Sequence, residues 1–206
     1  MARRTKEEAQ ATRERLLDCA ETLFQAQGVS RTSLNDIAQA AGTTRGAVYW
    51  HFKDKADLFN AMLERVTLPM EAELLDRTPT AADPFAHTRR AVLNALDRIA
   101  NDEQTRRVFD VIIHKVEYIS ELNAVRERHL AARDRCLARM ADDLRAAARL
   151  RGQRLPLPAA VAAQGLLALV DGLIQNWLLE PAAFDLVATG RRALDTYAAG
   201  LGLDGG

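Results

Sequence analysis

The sequence predicts an all-α protein, and three observations support this. Glycine and proline are sparse, at 11 and 6 of 206 residues, so long segments contain no residue that breaks a helix. Segments rich in the strong helix formers Ala, Leu, Arg and Glu make up most of the chain. Within them apolar residues recur at spacings of three and four, the period of one helix face. A hydrophobic content of 48% supports a core in one large or two small domains.

The segment from Thr32 to Lys55 predicts two short helices joined by a tight turn. Ser33 and Asp36 have the spacing of a capping box, which predicts a first helix from Ser33 to about Ala41. Gly42 is expected to end this helix, because glycine adopts the left-handed conformation of such a cap without strain. Two helices joined in this way form a helix-turn-helix.

The second helix of this pair is predicted from Arg45 to about His51, with two threonines before it that can cap it. Arg45 would stand where it reaches guanine O6 and N7 in a major groove, and Gly46 removes a side chain where helix and DNA approach. The alternative, an ordinary solvated face, requires the caps, the glycine turn and the one-sided donors to coincide by chance. The residues expected to contact DNA are Ser33, Thr43, Thr44, Arg45, Gly46, Tyr49, Trp50, His51 and Lys55.

Three of these residues are predicted to bind the DNA backbone. Tyr49, His51 and Lys55 can donate to phosphate oxygens, which fix the register of a protein on DNA rather than read its sequence. Asp54 is expected to cap the next helix. Lys55 would therefore stand at a helix N-terminus whose amides also favour a phosphate.

The run TSLNDIAQAAGTTRGAVYWHFKDKADLF resembles the DNA-binding signature of the TetR family of bacterial repressors. The family pattern A-G-x-x-x-G-x-x-Y-x-H-F-x-x-K is matched here by Ala41, Gly42, Gly46, Tyr49, His51, Phe52 and Lys55. The resemblance implies an N-terminal three-helix DNA-binding domain, residues 1–56, and a larger C-terminal helical domain, residues 57–206, that binds ligand and dimerises. It also implies double-stranded operator DNA as a partner.

The rest of the chain predicts further helices separated by turn-forming residues. Residues 1–6 are expected to form a mobile basic arm, and Pro69 is expected to bend or break the helix that contains it. The clearest loop is residues 76–84. The helices predicted outside the helix-turn-helix span about 7–27, 55–75, 85–101, 103–120, 121–151, 159–180 and 181–201.

The segment 159–180 is apolar nearly all round, which predicts burial on more than one side. A membrane span is the alternative, but Gln164, Asp171, Gln175 and Asn176 would lie inside it. We therefore expect contact with a second subunit and no membrane. In the TetR family the last two helices pair with those of a partner, so the resemblance implies a homodimer through them.

Two segments, VFDVIIHKVEYISEL and ALVDGLIQNWLL, further resemble the multidrug-responsive repressors that control efflux pumps. This resemblance implies a cavity for a hydrophobic or aromatic effector that releases the protein from DNA. His114 and Asp171 are expected to be its polar anchors, because a carboxylate in so apolar a helix needs a partner or a use. The residues expected around the effector are Val66, Val92, Leu96, Phe109, Asp110, Ile113, His114, Glu117, Met140, Leu167, Val170, Asp171 and Gln175.

Asp110, His114 and Glu117 share a face of the predicted helix 103–120, at i, i+4 and i+7. A metal site is one interpretation, but a di-iron bundle needs matching carboxylates and a Glu-x-x-His order that this helix lacks. The alternative function is an α-helical enzyme using His114 with Asp110 or Glu117 as acid and base. No nucleophile motif or phosphate loop accompanies them, so we expect no cofactor and no catalytic residue.

Charge and cysteine content set the remaining limits. The net charge is zero, so composition alone does not indicate nucleic acid. Cys19 and Cys136 are too few for a disulfide framework, and both are expected to be small buried hydrophobes. No apolar run follows the basic N-terminus as in a signal peptide. We therefore expect a cytoplasmic protein.

Overall fold

The all-α prediction is confirmed by a computed structural model, which describes residues 2–77, 83–116 and 122–203. Across these ranges the regular secondary structure is helical. The helices are α1 (Ala2–Gln27), α2 (Leu34–Ala40), α3 (Arg45–His51), α4 (Lys55–Leu75), α5 (Pro84–Asn101), α6 (Glu103–His114), α7 (Asn123–Leu150), α8 (Ala159–Leu179) and α9 (Leu186–Gly200).

The chain forms two compact units. The first contains Met1–Thr67 with Arg107–His129, and the second contains Leu68–Arg106 with Leu130–Gly206. Helices α4, α6 and α7 each continue from one unit into the other. These units do not coincide with a division at residue 56, because α6 and α7 contribute to the unit that holds the helix-turn-helix.

The core of the first unit joins α1, α2 and α3 to parts of α4, α6 and α7. Its fully buried side chains include Leu16, Phe24, Ile37, Val48, Phe59, Val108, Val111 and Leu122. The rings of Phe24 and Phe59 lie 5.7 Å apart at a tilt, a favourable aromatic geometry. Apolar burial of this kind supplies most of the stability that fixes the helix-turn-helix on α1.

A cluster of charges joins α1 to α4 on the same unit. The Arg65 guanidinium binds the carboxylates of Glu14 at 3.0 Å and Asp18 at 2.9 Å, and it also binds Glu21, which is fully buried. Because a buried carboxylate without a partner is costly, the contact with Arg65 helps to stabilise the burial of Glu21.

Several helix bounds differ from the predicted ones. The backbone of α1 is helical from Ala2, so the predicted mobile arm is largely part of this helix. Helix α4 continues through Pro69 without a break. Helix α6 ends at His114 rather than near residue 120, and residues 117–121 lie outside the described ranges. Helix α9 begins only at Leu186, where the Asp185 side chain accepts from the Ala188 amide and caps it.

In the second unit, small residues let α5, α8 and α9 approach closely. Gly190 of α9 packs against the side chain of the fully buried Leu96 of α5, at a distance that leaves no space for a methyl group. Gly165 of α8 similarly leaves room for Tyr197, whose hydroxyl donates to the Ala162 carbonyl at 2.9 Å. The outer helices are therefore held at short distances by specific glycine contacts.

Helix α8 has one buried face and one exposed face within a single subunit. The buried stripe consists of Ala162, Ala163, Leu166, Val170, Ile174 and Trp177, and the exposed stripe consists of Val161, Gln164, Ala168, Asp171, Gln175 and Leu179. Among the described residues, α8 is the helix long and apolar enough to cross a bilayer, a test that core helices of globular proteins also pass. Helix α8 was predicted to be buried on more than one side, but a single subunit buries only one of its faces.

Candidate functional site

The turn that opens α2 has the predicted capping box. The Ser33 hydroxyl accepts from the Asp36 amide at 3.2 Å, and the Asp36 carboxylate accepts from the Ser33 amide at 2.9 Å. Hydrogen bonds from the Ser33 backbone and then its side chain lower the pKa of Asp36, so the cap is charged at neutral pH. Gly42 ends the helix region with a φ of 63°, the left-handed conformation that the sequence predicted.

Helix α3 presents an apolar side to the core and a polar side to solvent. The Thr44 hydroxyl caps it by accepting from the Ala47 amide at 3.2 Å. Val48 is fully buried, whereas Tyr49 is 48% exposed and Trp50 is 73% exposed. Ser33, Thr44, Arg45 and Gly46 are also exposed, and Thr43 is half-buried. An exposed tryptophan beside a tyrosine on one short helix is a surface suited to a partner rather than to water.

Arg45 and Tyr49 form a pair on this exposed side. Arg45 Nη2 donates to Tyr49 Oη at 3.2 Å, and the guanidinium carbon lies 5.4 Å from the tyrosine ring centroid. The hydrogen bond to Tyr49 raises the pKa of Arg45, which is cationic in any case. Tyr49 uses an oxygen lone pair for this contact, so its own O–H remains a donor for a phosphate. The hydrogen bond therefore fixes Arg45, which can contact a base, relative to Tyr49, which can contact a phosphate.

The residues around this pair line a concave depression of about 480 Å³. Its lining residues are Ser30, Arg31, Thr32, Ser33, Leu34, Asn35, Arg45, Tyr49, Asp54 and Lys55. Arg31 and Asn35 are exposed there and were missed by the sequence reasoning. Their positions on either side of the Ser33 cap are the signal that could have identified them, because both flank the start of a helix that opens toward the same surface.

Lys55 does not occupy the exposed position that was predicted. Its side chain is buried, and Nζ donates to the Thr32 carbonyl at 3.3 Å. The predicted cap of α4 is present, since Asp54 Oδ1 accepts from the Asp57 amide at 2.8 Å. Lys55 was predicted to offer its ammonium to a phosphate, which requires an exposed side chain, and the structure contradicts that exposure. The ammonium instead points inward and links α4 to the turn before α2.

His51 is also less exposed than predicted. It is half-buried, with its ring centroid 4.6 Å from that of Trp50 in an edge-on contact. Burial, and then repulsion by Arg13, lower the pKa of His51 below its ordinary value. The imidazole is therefore neutral at neutral pH. It can offer a hydrogen bond but not a positive charge to a phosphate.

The residues predicted around the effector divide between the two units. In the first unit, Val66 is buried and Phe109, Asp110, Ile113 and His114 are half-buried. In the second, Val92, Leu96, Met140 and Val170 are buried and Leu167 is half-buried, whereas Asp171 and Gln175 are exposed. Glu117 lies outside the described residues. Asp171 was expected to be a polar anchor because its helix is so apolar, but its side chain lies on the exposed face of α8.

Asp110 and His114 form a hydrogen-bonded pair on α6. Asp110 Oδ1 lies 2.9 Å from His114 Nδ1, and Asp110 Oδ2 accepts from Gln25 Nε2 at 3.3 Å. A carboxylate only accepts, so Nδ1 carries the proton and Nε2 is an acceptor in the neutral ring. Nε2 is buried and has no hydrogen-bond partner among the described residues. The same residues include no cluster of three or more metal-ligating side chains.

An open groove of about 840 Å³ lies on the second unit, outside the residues predicted for the effector. It is lined by Pro156, Leu157, Leu169, Thr189, Arg192, Ala193, Thr196, Tyr197, Gly200 and Leu201.

Cys19 and Cys136 were expected to be buried. Both are half-buried thiols, and desolvation raises the pKa of each, which keeps them protonated.

The sequence pattern of bacterial regulatory proteins of the tetR family matches residues 16–62, and that of the C-terminal region of MAATS-type transcriptional repressors matches residues 83–202. The HTH-type transcriptional regulator AcrR of Shigella flexneri is 40% identical over 90% of this chain and 87% of its own length. The HTH-type transcriptional regulator TtgR of Pseudomonas putida is 40% identical over 95% of this chain and 94% of its own.

Solved structures agree with these matches. NalD, the secondary repressor of the MexAB-OprM multidrug efflux pump in Pseudomonas aeruginosa, superposes with a TM-score of 0.85 at 36% identity, covering 95% of this chain and 98% of NalD. SmeT in complex with triclosan superposes with a TM-score of 0.80 at 36% identity, covering 92% of this chain and 90% of SmeT. These relatives are transcriptional regulators, so the enzyme alternative has no support among them. The chain belongs to the TetR family and is a DNA-binding transcriptional regulator.

Proposed function

We propose that this regulator represses an operon encoding a multidrug efflux pump and is released from DNA by a hydrophobic effector. Two relatives that are similar over more than nine tenths of the chain support the first part of this proposal. NalD is described as the secondary repressor of one multidrug efflux pump, and SmeT as the repressor of another. The observation that carries the DNA-binding half is the exposed Arg45–Tyr49 pair beside Trp50. Such a protein would act in the cytoplasm, where operator DNA lies, and would need no cofactor.

We assign the DNA contacts to residues 1–56, and the effector and subunit functions to residues 57–206. Arg45 reads a base edge while Tyr49 and the exposed hydroxyls around it bind the phosphate backbone. Gly46 lets the helix approach closely. Two such surfaces about 34 Å apart in a dimer would read a near-palindromic operator. His51 and Lys55 support this surface from beneath rather than carry its positive charge.

The subunit contact is proposed to use α8 and α9. The exposed stripe of α8 contains Ala168, and the half-buried Gly172 lies one turn further along the helix. Small residues let a second helix approach closely, and the apolar Val161 and Leu179 stand at the two ends of the stripe. A groove lined by Leu157, Leu169 and Tyr197 lies on the same unit. Together with the polar Gln164, Asp171 and Gln175 of the stripe, these residues form the mixed apolar and polar surface that protein interfaces have. Asp171 and Gln175 would then lie at the subunit contact rather than beside the effector.

The effector is proposed to bind beside His114, the remaining polar anchor. In the neutral ring, the buried Nε2 is an acceptor that has no partner among the described residues, so it suits a hydroxyl or N–H donor. A buried acceptor left without a hydrogen bond costs about 1–3 kcal/mol, which a ligand donor would recover. Val66, Phe109 and Ile113 of the same unit are apolar, so the fitting ligand is a hydrophobic compound with few polar groups, such as a phenol.

The proposal is tested by gel-shift measurements on the DNA upstream of the gene, at several salt concentrations. Specific, salt-dependent binding that is reversed by hydrophobic antibiotics or plant phenolics is expected. Calorimetric titration of the same compounds into wild type and His114→Ala measures the anchor, and Asp171→Asn tests whether the carboxylate proposed for the subunit contact also affects effector binding. Failure of every compound to bind would remove the effector half and leave the DNA-binding half.

A further inference from the structure

At the start of α4, one charged side chain points inward and the one before it faces the DNA-binding surface. Lys55 is buried, and its ammonium donates to the Thr32 carbonyl at 3.3 Å. Asp54 is exposed, and it lines the depression beside α3. The start of α4 therefore offers a carboxylate to this surface, at the point where a cationic phosphate donor was predicted.

The cap of α4 does not need the negative charge of Asp54. Asp54 Oδ1 accepts from the Asp57 amide at 2.8 Å, and an asparagine oxygen caps a helix about as well as a carboxylate does. In the described part of the chain the neighbouring arginines have other partners. Arg31 donates to a backbone carbonyl of α1 at 2.7 Å, and Arg45 donates to Tyr49. The charge of Asp54 is therefore left to act on whatever binds in the depression.

The depression is lined by charges of both signs. Arg31 and Arg45 are exposed cations that attract DNA phosphates, whereas the exposed Asp54 carboxylate repels them. Lys55 also lines the depression, but its ammonium is turned inward to a backbone carbonyl. Lys53 is exposed and lies outside the lining. The carboxylate therefore opposes the attraction that the two exposed arginines exert.

We propose that Asp54 limits the DNA affinity of this regulator, because its carboxylate repels the phosphate backbone and weakens binding to every DNA sequence alike. The inference rests on the proposed placement of DNA on α3 and the depression, and it is independent of the effector. Phosphates carry the same charge at every base pair, so the repulsion does not depend on sequence. Asp54 thus lowers affinity for DNA at large, while the preference for the operator is left to Arg45.

The test measures the binding of wild type, Asp54→Asn and Asp54→Ser to the DNA upstream of the gene and to a mixed-sequence duplex of equal length, at several salt concentrations. Both substitutions keep a side-chain oxygen that can cap α4. Each should tighten binding to both duplexes at least about fivefold at low salt and steepen the salt dependence by about one per subunit. The ratio of the two affinities should stay within about twofold of the wild-type ratio.

Asp57→Asn is the matched control. Asp57 is an exposed carboxylate three residues further along, outside the lining of the depression. Its Oδ2 accepts from the Lys53 amide at 2.9 Å, a contact that an asparagine oxygen can replace. Asp57→Asn should tighten binding by less than about twofold, because solvent and salt screen a charge that lies outside the depression.

A purely structural role for the carboxylate predicts the opposite sign. A negative charge at the start of a helix interacts favourably with the helix dipole, so its loss would weaken DNA binding rather than tighten it. Unchanged or weaker binding by both Asp54 variants would overturn the inference, as would tightening confined to one duplex or equal tightening by Asp57→Asn.

Arg31→Ala separates a failure of the inference from a failure of the proposed DNA placement. If Arg31→Ala weakens binding to both duplexes while the Asp54 variants bind like wild type, DNA reaches the depression and only the inference fails. If Arg31→Ala also leaves both affinities unchanged, DNA does not enter the depression, and the placement and the inference fail together.

Discussion

Lys55 Nζ donates to the Thr32 carbonyl at 3.3 Å, so the first and last residues of the segment from Thr32 to Lys55, which contains the helix-turn-helix, are hydrogen-bonded to each other. The bond closes a stretch of 24 residues around α2 and α3. It gives a buried ammonium a structural use at a position where an exposed phosphate contact was predicted.

This bond predicts a stability effect. Lys55→Met keeps most of the side-chain volume but leaves the Thr32 carbonyl without this donor, so the free energy of unfolding should fall by about 1–3 kcal/mol. The nearby exposed Lys53 should tolerate the same change within about 0.5 kcal/mol. Urea unfolding of both variants measures this. Equal midpoints for Lys55→Met and Lys53→Met would contradict the structural role.

Base reading by Arg45 predicts a change in specificity. Arg45→Ala should weaken operator binding roughly 5- to 150-fold and relax preference at one base pair per half-site. Arg31→Ala, on the rim of the same depression, should weaken binding evenly across sequences and reduce the salt slope by about one. Selection from random duplexes with each variant measures both effects. Equal loss of discrimination in the two variants would show that the roles are assigned wrongly.

The Gly190–Leu96 contact predicts that a single methyl group is destabilising. Gly190→Ala would overlap the buried Leu96 side chain, and overpacking of this kind costs about 1–3 kcal/mol despite the better helix propensity of alanine. In a Leu96→Ala background the same change should cost less, because the space has been opened. Thermal unfolding of Gly190→Ala, Leu96→Ala and the double variant measures the three changes in stability that this double-mutant cycle needs. An unchanged cost in the Leu96→Ala background would refute the overlap.

The Asp83–Arg151 ion pair predicts a pH dependence. Arg151 Nη2 lies 2.7 Å from Asp83 Oδ2, and this contact, against some desolvation, lowers the pKa of Asp83. A lowered folded-state pKa stabilises the protein fully above the unfolded value of about 3.9 and loses this stabilisation as the pH falls through the folded-state value. Wild type should therefore exceed Asp83→Asn in stability above about pH 5, with the difference shrinking below about pH 4.

The Asp83→Asn variant retains a side-chain oxygen that can accept for the α5 cap, so the comparison isolates the charge. Repeating it in an Arg151→Met background is the control, and there the pH-dependent part of the difference should be much smaller. Urea unfolding across the acid range measures it. The same pH dependence with and without Arg151 would remove the ion pair as its cause.

The exposed stripe of α8 predicts the oligomeric state. Ala168→Arg places a long cation where a second helix is proposed to approach, so it should yield a monomer with much weaker operator binding. Ala138→Arg, at an exposed position on α7, should leave both properties unchanged. Sedimentation and gel-shift measurements report the two readouts. An Ala168→Arg dimer with undiminished operator affinity would rule out this surface.

The helices and the helix-turn-helix were predictable because local rules determine them: the Ser33 capping box, the positive φ of Gly42 and the apolar spacing of α2 all depend on neighbours within a few residues. The exposure of Lys55 and Asp171 was not predictable, because the exposure of a side chain depends on how its helix is rotated against partners distant in sequence. Gln25 carried no signal at all, since its partner lies 85 residues away.

The first unit is not continuous in sequence, and this has a consequence for its synthesis. Val108, Val111, Leu122 and Val125 belong to the same core as the residues of α1 to α4. A ribosome adding about 5–20 residues per second needs roughly 3–12 s to pass from residue 67 to residue 129. During that interval the nascent helix-turn-helix lacks part of its core, so a newly made chain should acquire DNA affinity only after α6 and the start of α7 have emerged.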